Sequence, residues 1–311
     1  MPERELISYI HKLAEASPLP WLEVGIGDDC AVLRLERDDR LVATTDMLIE
    51  GTHYEPDTPP EMAGRKAIAR ALSDLAAMAA RPLCTLAAAS FRPHTDEEFC
   101  RLLCRGLWNN AAQLGAPLIG GDISSGAGAH TLAVTALGSP GPAGSITRSG
   151  ARAGDAICVT GALGGSIGGR HLTFSPRLEE ALDLAERFDL HAMIDISDGL
   201  STDLGHLTES SGIGAVVEAG ALPVHEDLRE ELRATGASRR EYVRRALNDG
   251  EDYELLFCLP EPQAGEAERI GAAGTPVTII GRIQPGSELK LRRSDGTTET
   301  LEEGGWEHLS K

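Results

Sequence analysis

Lysine is almost missing from this chain: four residues, Lys12, Lys66, Lys290 and Lys311, stand among 311, and no Gly-Lys dipeptide exists. A P-loop, which requires GxxxxGK[ST], is therefore excluded. Lys66 in RKAIAR has no HRD or DFG partner, which excludes the protein-kinase arrangement as well. Aromatic residues make up only 4%, too few for the stacking platforms that hold single-stranded nucleic acid. Positive charge is also short, with 29 Lys and Arg against 48 Asp and Glu and a net charge of −19. Such a surface repels phosphate backbones, so nucleic acid and anionic membranes are poor partners.

No uncharged apolar run approaches the roughly 18 residues of a membrane helix, and the opening MPERELISYIHKLAEAS carries acids inside an amphipathic helical pattern. A soluble, unsecreted chain is expected. The six cysteines (Cys30, Cys84, Cys100, Cys104, Cys158, Cys258) show no CxxC pair and no framework spacing. That usage fits a reducing cytoplasm. Cys100 and Cys104 stand i, i+4 on a helical pattern but lack a nearby His or third Cys, so they read as core packing.

Apolar runs alternate with helical patterns throughout, which predicts a mixed α/β protein. Strands are expected at 39–48, 82–91 and 130–138, then at 156–161, 192–197, 215–220, 253–259 and 276–283. Helices are expected over about 61–80, from a Thr95-to-Glu98 capping box onward, and near 178–188, 199–211, 238–247 and 262–271. The Gly-, Ser- and Pro-rich stretch 139–155 follows a strand and is the expected junction between two domains, 1–140 and 150–311. Pairing direction is not decidable from such short runs.

What is abundant is acid in an unusual place. GIGDDC (25–30), TTDML (44–48), LSDLAAM (72–78), LIGGDISSG (118–126), MIDISDG (193–199) and NDGEDYELL (248–256) put carboxylates in short turns or beside apolar segments. Asp beside Gly is ordinary turn chemistry, so one such segment means little. Six of them brought together would repel unless a cation intervened, and Mg²⁺ takes carboxylates together with substrate phosphates. Asp74 stands at the edge of a stripe with Ala67, Ala71 and Met78, where an unpaired carboxylate is costly; a solvated helix edge is the alternative. For phosphate, the remaining donors are Gly120-Gly121-Asp122 after a strand and Ser197-Asp198 at a helix start. Arg148 is either a γ-phosphate clamp or a solvated loop residue. GALGGSIGG (161–169) lacks the dinucleotide spacing.

In order and approximate spacing, GIGDDCAVL, TTDMLIEGTHY, LSDLAAMAA, IGGDISSG, MIDISDGL and NDGEDYELLF resemble the thiamine-monophosphate kinase family, within the superfamily of aminoimidazole ribonucleotide synthetase and selenophosphate synthetase. The resemblance covers essentially the whole chain. It implies a two-domain α/β (α+β) aminoimidazole ribonucleotide synthetase-like fold. Its N-terminal domain would dimerise through its sheet, with ATP and several Mg²⁺ held between the domains of a cytoplasmic homodimer. It also implies transfer of the ATP γ-phosphate onto thiamine monophosphate. The alternative is another ATP-dependent synthetase of the superfamily, which the DMLIEGTHY and NDGEDYELL segments disfavour.

By motif position, Asp28, Thr44, Thr45, Asp46, Asp74, Asp122, Asp195 and Asp198 are implied as metal ligands. Gly121, Asp122, Arg148 and Ser197 are implied as ATP contacts, and His53, Glu251 and Trp306 as the substrate end. The acceptor phosphate is already anionic, so no side-chain base or nucleophile is assigned. A carboxylate such as Glu251, or the face of Trp306, suits the thiazolium charge, although Glu251 can equally cap a turn and Trp306 can be terminal packing. Two departures stand out: Cys30 where Ala is usual, read as packing, and Ala79 where the family often has Gly.

Overall fold

The computed structural model describes residues 22–24, 28–34, 40–302 and 304–306. The amphipathic pattern over 1–17 and residues 25–27 of GIGDDC lie outside them. Six strands, β1 (Leu22–Val24), β2 (Ala31–Arg34), β3 (Arg40–Ile49), β4 (Ala80–Phe91), β5 (Leu118–Ser125) and β6 (Thr131–Pro140), form one sheet in the order β1-β2-β3-β6-β4-β5. Seven more, β7 (Asp155–Thr160), β8 (Ala192–Asp195), β9 (Gly214–Glu218), β10 (Leu255–Pro260), β11 (Val277–Gln284), β12 (Leu289–Arg292) and β13 (Thr298–Thr300), form a second in the order β13-β12-β9-β11-β7-β10-β8. Among the described strands only β4–β5 and β9–β12 pair in parallel.

Between the sheets runs α1 (Pro60–Ala77), which starts on a proline pair suited to a first turn and is buried on nearly every side. Its alanines let it sit close to both layers; one core joins Leu72 and Leu75 to Val42 and Leu132 of the first sheet and to Met193 and Phe257 of the second. Helix α2 (Glu97–Gln113) crosses α1 glycine on glycine. A Cβ at Gly64 would lie 2.4 Å from the Leu103 carbonyl oxygen, and one at Gly106 2.2 Å from that of Glu61. The remaining helices are α3 (Leu178–Arg187), α4 (Leu200–Ser211), α5 (Glu226–Thr235), α6 (Arg239–Asn248) and α7 (Glu261–Ile270).

Several expected boundaries move for local reasons. Helix α1 stops at Ala77 because Ala79 takes a left-handed φ of +50° and donates its N–H back to the Ala76 carbonyl. Asp96, not Thr95, caps α2: its carboxylate accepts the Phe99 N–H, while the Thr95 hydroxyl donates to the Arg92 carbonyl. Strand β10 begins at Leu255, after Tyr253 at φ +52°. Gly120-Gly121-Asp122 lies within β5 rather than after it. Strands β1, β2, β12 and β13 and helix α5 had no sequence expectation.

Candidate active site

Asp29 immediately before β2, Asp74 on α1 and Asp195 at the end of β8 each offer one carboxylate oxygen, and these oxygens lie within 4.8 Å of one another. This is the one such group among the described residues. Strand β3 supplies the Thr44 hydroxyl, which donates to Asp74 Oδ2 at 2.6 Å, and α1 supplies the Ser73 hydroxyl, which donates to Asp195 Oδ2 at 2.5 Å. Burial, reinforced by the Asp29 charge, pushes Asp195 up to about 7. Burial followed by the charges of Asp195, Asp46 and Asp29 holds Asp74 well above the carboxylate range. Crowded, poorly hydrated carboxylates with hydroxyls beside them are a hard-oxygen donor set, and they fit Mg²⁺.

The structure substitutes Asp29 for Asp28 in that group. Asp28 Oδ1 accepts the Asp29 N–H, and burial with the neighbouring Asp29 charge raises it to about 6. Arg148 is not a solvated loop residue: its Nε and Nη2 donate to the two oxygens of Asp29 at 2.9 and 2.7 Å, and its N–H reaches Asp28. Asp46 faces Arg70 at 2.9 Å.

Strand alternation separates other expected ligands. Thr44 and Asp46 share the face of β3 that carries buried Val42 and Leu48, whereas Thr45 stands on the opposite face, its hydroxyl accepting from Thr135. Asp122 pairs with Ala88 in outer strand β5 and is exposed, so it is not brought to the three-acid group. Gly121 has a packing reason to be glycine: a Cβ there would lie 1.9 Å from the Ala87 carbonyl oxygen.

Asp203, absent from the expected set, settles the turn ahead of α4. Its Oδ2 accepts the N–H groups of Ser197, Asp198 and Gly199, each at 3.1 Å. These donors, expected to face phosphate, are thus held by a carboxylate one helical turn on. Asp198 stands on this turn rather than in the three-acid group.

Helix α1 lines the rest of the site with Lys66, Arg70 and Asp74 at i, i+4 and i+8. The stripe runs about 12 Å at 1.5 Å per residue. Lys66, given no role by its sequence context, draws together two of the residues expected at the substrate end, hydrogen-bonding the His53 carbonyl and ion-pairing with Glu251. Burial lowers Lys66 to about 8. Burial also pushes Glu251 upward, but the His171 hydrogen bond and the Lys66 and Arg70 charges outweigh it and bring Glu251 to about 2. A carboxylate so neutralised is not an open counter-charge for a thiazolium. The Ser197–Asp198 turn joins Trp306 to Glu251, since Glu251 N–H donates to the Ser197 carbonyl and Trp306 N–H to that of Asp198. At 54% exposure Trp306 is not terminal core packing, whereas Cys30 is buried in the core as packing predicts.

Both halves of the chain are similar to known proteins. The model for AIR synthase related protein, N-terminal domain, matches residues 27–139, and that for AIR synthase related protein, C-terminal domain, matches residues 152–294. The thiamine-monophosphate kinase of Escherichia coli (strain K12) is 35% identical over 93% of each chain. That of Rhodopirellula baltica is 34% identical, covering 98% of this chain and 97% of its own. Among solved structures, AaThiL complexed with AMPPCP and TMP superposes with a TM-score of 0.81 at 27% identity, covering 99% of this chain and 97% of that one.

Proposed function

The chain belongs to the family of thiamine-monophosphate kinases, and from that premise we infer that it transfers the γ-phosphate of ATP to thiamine monophosphate, giving thiamine diphosphate and ADP. An oxygen of the acceptor phosphate forms the new bond to the γ-phosphorus as the bond to the β-phosphate oxygen breaks, and ADP leaves with that electron pair. The acceptor is an anion already, so the work is alignment and charge neutralisation. The observation that carries the reading is the convergence of Asp29, Asp74 and Asp195 beside Thr44.

Mg²⁺ held by these carboxylates would neutralise the phosphates and fix them in line. The chain's own contribution is to seat those ligands: Arg148 grips Asp29, Ser73 orients Asp195 and Thr44 orients Asp74. Around this centre we assign Asp46 and Asp198 to further metal contacts and Arg148 and Ser197 to ATP. His53, Glu251 and Trp306 form the substrate end.

A division into domains 1–140 and 150–311 is supported by the two sheets, whose strands lie within 22–140 and 155–300. A homodimer is supported by the first sheet, whose face away from α1 leaves Met47 51% exposed and Thr45 and Asp122 open. Thr45 and Asp122 would have to act from that face, the one we propose to pair two chains. Six unpaired cysteines support a cytoplasmic setting.

The test is a product assay with ATP, Mg²⁺ and thiamine monophosphate, with free thiamine and aminoimidazole ribonucleotide precursors as control acceptors. Thiamine diphosphate and ADP should appear in equal amounts. ADP formation dependent on a control acceptor, with no thiamine diphosphate, would overturn the reading.

A further inference from the structure

Lys66 has no solvent exposure, and its ammonium has three partners within hydrogen-bond reach. Nζ lies 2.5 Å from the His53 carbonyl oxygen and 2.6 Å from His171 Nδ1, and it ion-pairs with Glu251 Oε2. His171 Nδ1 is itself 3.1 Å from Glu251 Oε2, so the three side chains meet at one point. The three arms come from segments remote in sequence: the turn after β3, the short helical turn Arg170–Leu172 and the loop before β10.

The loop carrying Glu251 is held in an unfavourable shape. Glu251 has φ +63° and Tyr253 φ +52°, left-handed values that non-glycine residues adopt only where their surroundings over-determine them. The restraints are visible: Asp252 accepts from Gly164 N–H at 2.7 Å and Arg170 Nη2 at 3.1 Å, and Arg177 donates to both oxygens of Glu254. For Glu251 the side-chain restraint is Lys66 with His171.

We propose that Lys66 is a positioning residue that fixes Glu251 as a neutralised, directional hydrogen-bond acceptor at the substrate end, one that reads the amine of the aminopyrimidine ring rather than the thiazolium charge. This rests on the assignment of Glu251 to that end. Oε2 is committed to Lys66 and His171, which leaves Oε1 of a carboxylate with fixed orientation to accept from a substrate N–H. A mobile, charged Glu would favour any cation; a clamped, paired one favours a donor in one direction.

Oxythiamine monophosphate, which presents a carbonyl where thiamine has the amine, is the probe. Wild type should favour thiamine monophosphate by tenfold or more in kcat/KM. Lys66→Met should bring the two substrates within about threefold while the KM for ATP changes less than threefold. Calorimetric binding of thiamine monophosphate beside a non-hydrolysable ATP analogue should weaken in parallel. A Lys66→Met enzyme that loses activity but keeps the wild-type preference overturns the proposal, since a merely structural role lowers both substrates together. If Lys66→Met does not fold, His171→Leu removes a single arm and should reduce the preference at least threefold; an unchanged preference again overturns it. Wild type that phosphorylates neither compound would instead overturn the functional assignment beneath.

Discussion

Arg148 holds both carboxylate oxygens of Asp29, and Asp29 is at the same time one of the three acids that converge with Asp74 and Asp195. The grip orients the carboxylate before any cation arrives. Asp29→Asn should therefore weaken Mn²⁺ binding by about tenfold or more, while Asp28→Asn, outside the convergent group, should change it less than about threefold. Titration calorimetry on both variants decides. Equal losses would place Asp28 in the centre after all.

Ala79 occupies a left-handed backbone position while fully buried. Glycine has no Cβ to strain there, so Ala79→Gly should stabilise the protein by about 0.5–1 kcal/mol. Urea unfolding measures it. A destabilised variant would mean that the lost methyl contact outweighs the relieved strain.

Glu251 sits near 2 against an ordinary 4.5, a depressed carboxylate. Its stabilisation is complete above pH 4.5 and disappears as pH falls through 2, because only the unfolded chain takes up the proton in that window. With 14% side-chain exposure the linkage amounts to about 3 kcal/mol as an upper scale. Glu251→Gln should thus lose less stability than wild type between pH 5 and pH 3 in denaturant titrations. An identical loss in both would dismiss the pairing as a source of acid sensitivity.

Trp306 is half exposed and tied by its backbone to Asp198. Trp306→Ala should raise the KM for thiamine monophosphate roughly tenfold, equivalent to about 1.4 kcal/mol, with the KM for ATP and the melting temperature nearly unchanged. A fall in melting temperature with an unaltered KM would return it to packing.

Met47 stands on the open face of the first sheet. Met47→Glu should shift sedimentation from dimer to monomer, since like charges would then face each other across the two-fold axis. A wild-type protein that sediments as a monomer would remove the proposed pairing.

Long, strongly patterned elements were legible because burial on one face imprints its period: β3, β4, β6 and α1 lie within a few residues of their expected places. Short exposed strands such as β13 carry no such imprint. Asp74 was legible as a carboxylate beside an apolar stripe. Asp29 was not distinguishable from Asp28, because neighbours in a turn have no period to tell which one points inward. The pairing of Lys66 with Glu251 and of Arg148 with Asp29 was not legible for a different reason: the partners lie 185 and 119 residues away, and only the assembled sheets bring them together. Asp203 looks like any polar helix position until its three N–H donors fold back onto it.

The contact between Gly64 and Gly106 gives the site its tolerance. Two backbones touching without side chains between them leave no cushion, so α1 seats against α2 as a rod against a hard stop. Lys66, Arg70 and Asp74 ride on that rod as one piece. A single methyl group at position 64 would meet the Leu103 carbonyl oxygen at 2.4 Å, and whatever α1 shifts to relieve that contact passes to the three-acid group and the Lys66 clamp together. The accuracy of phosphate transfer is in that sense machined into a helix crossing, and wear there would register as a kinetic fault before the fold failed.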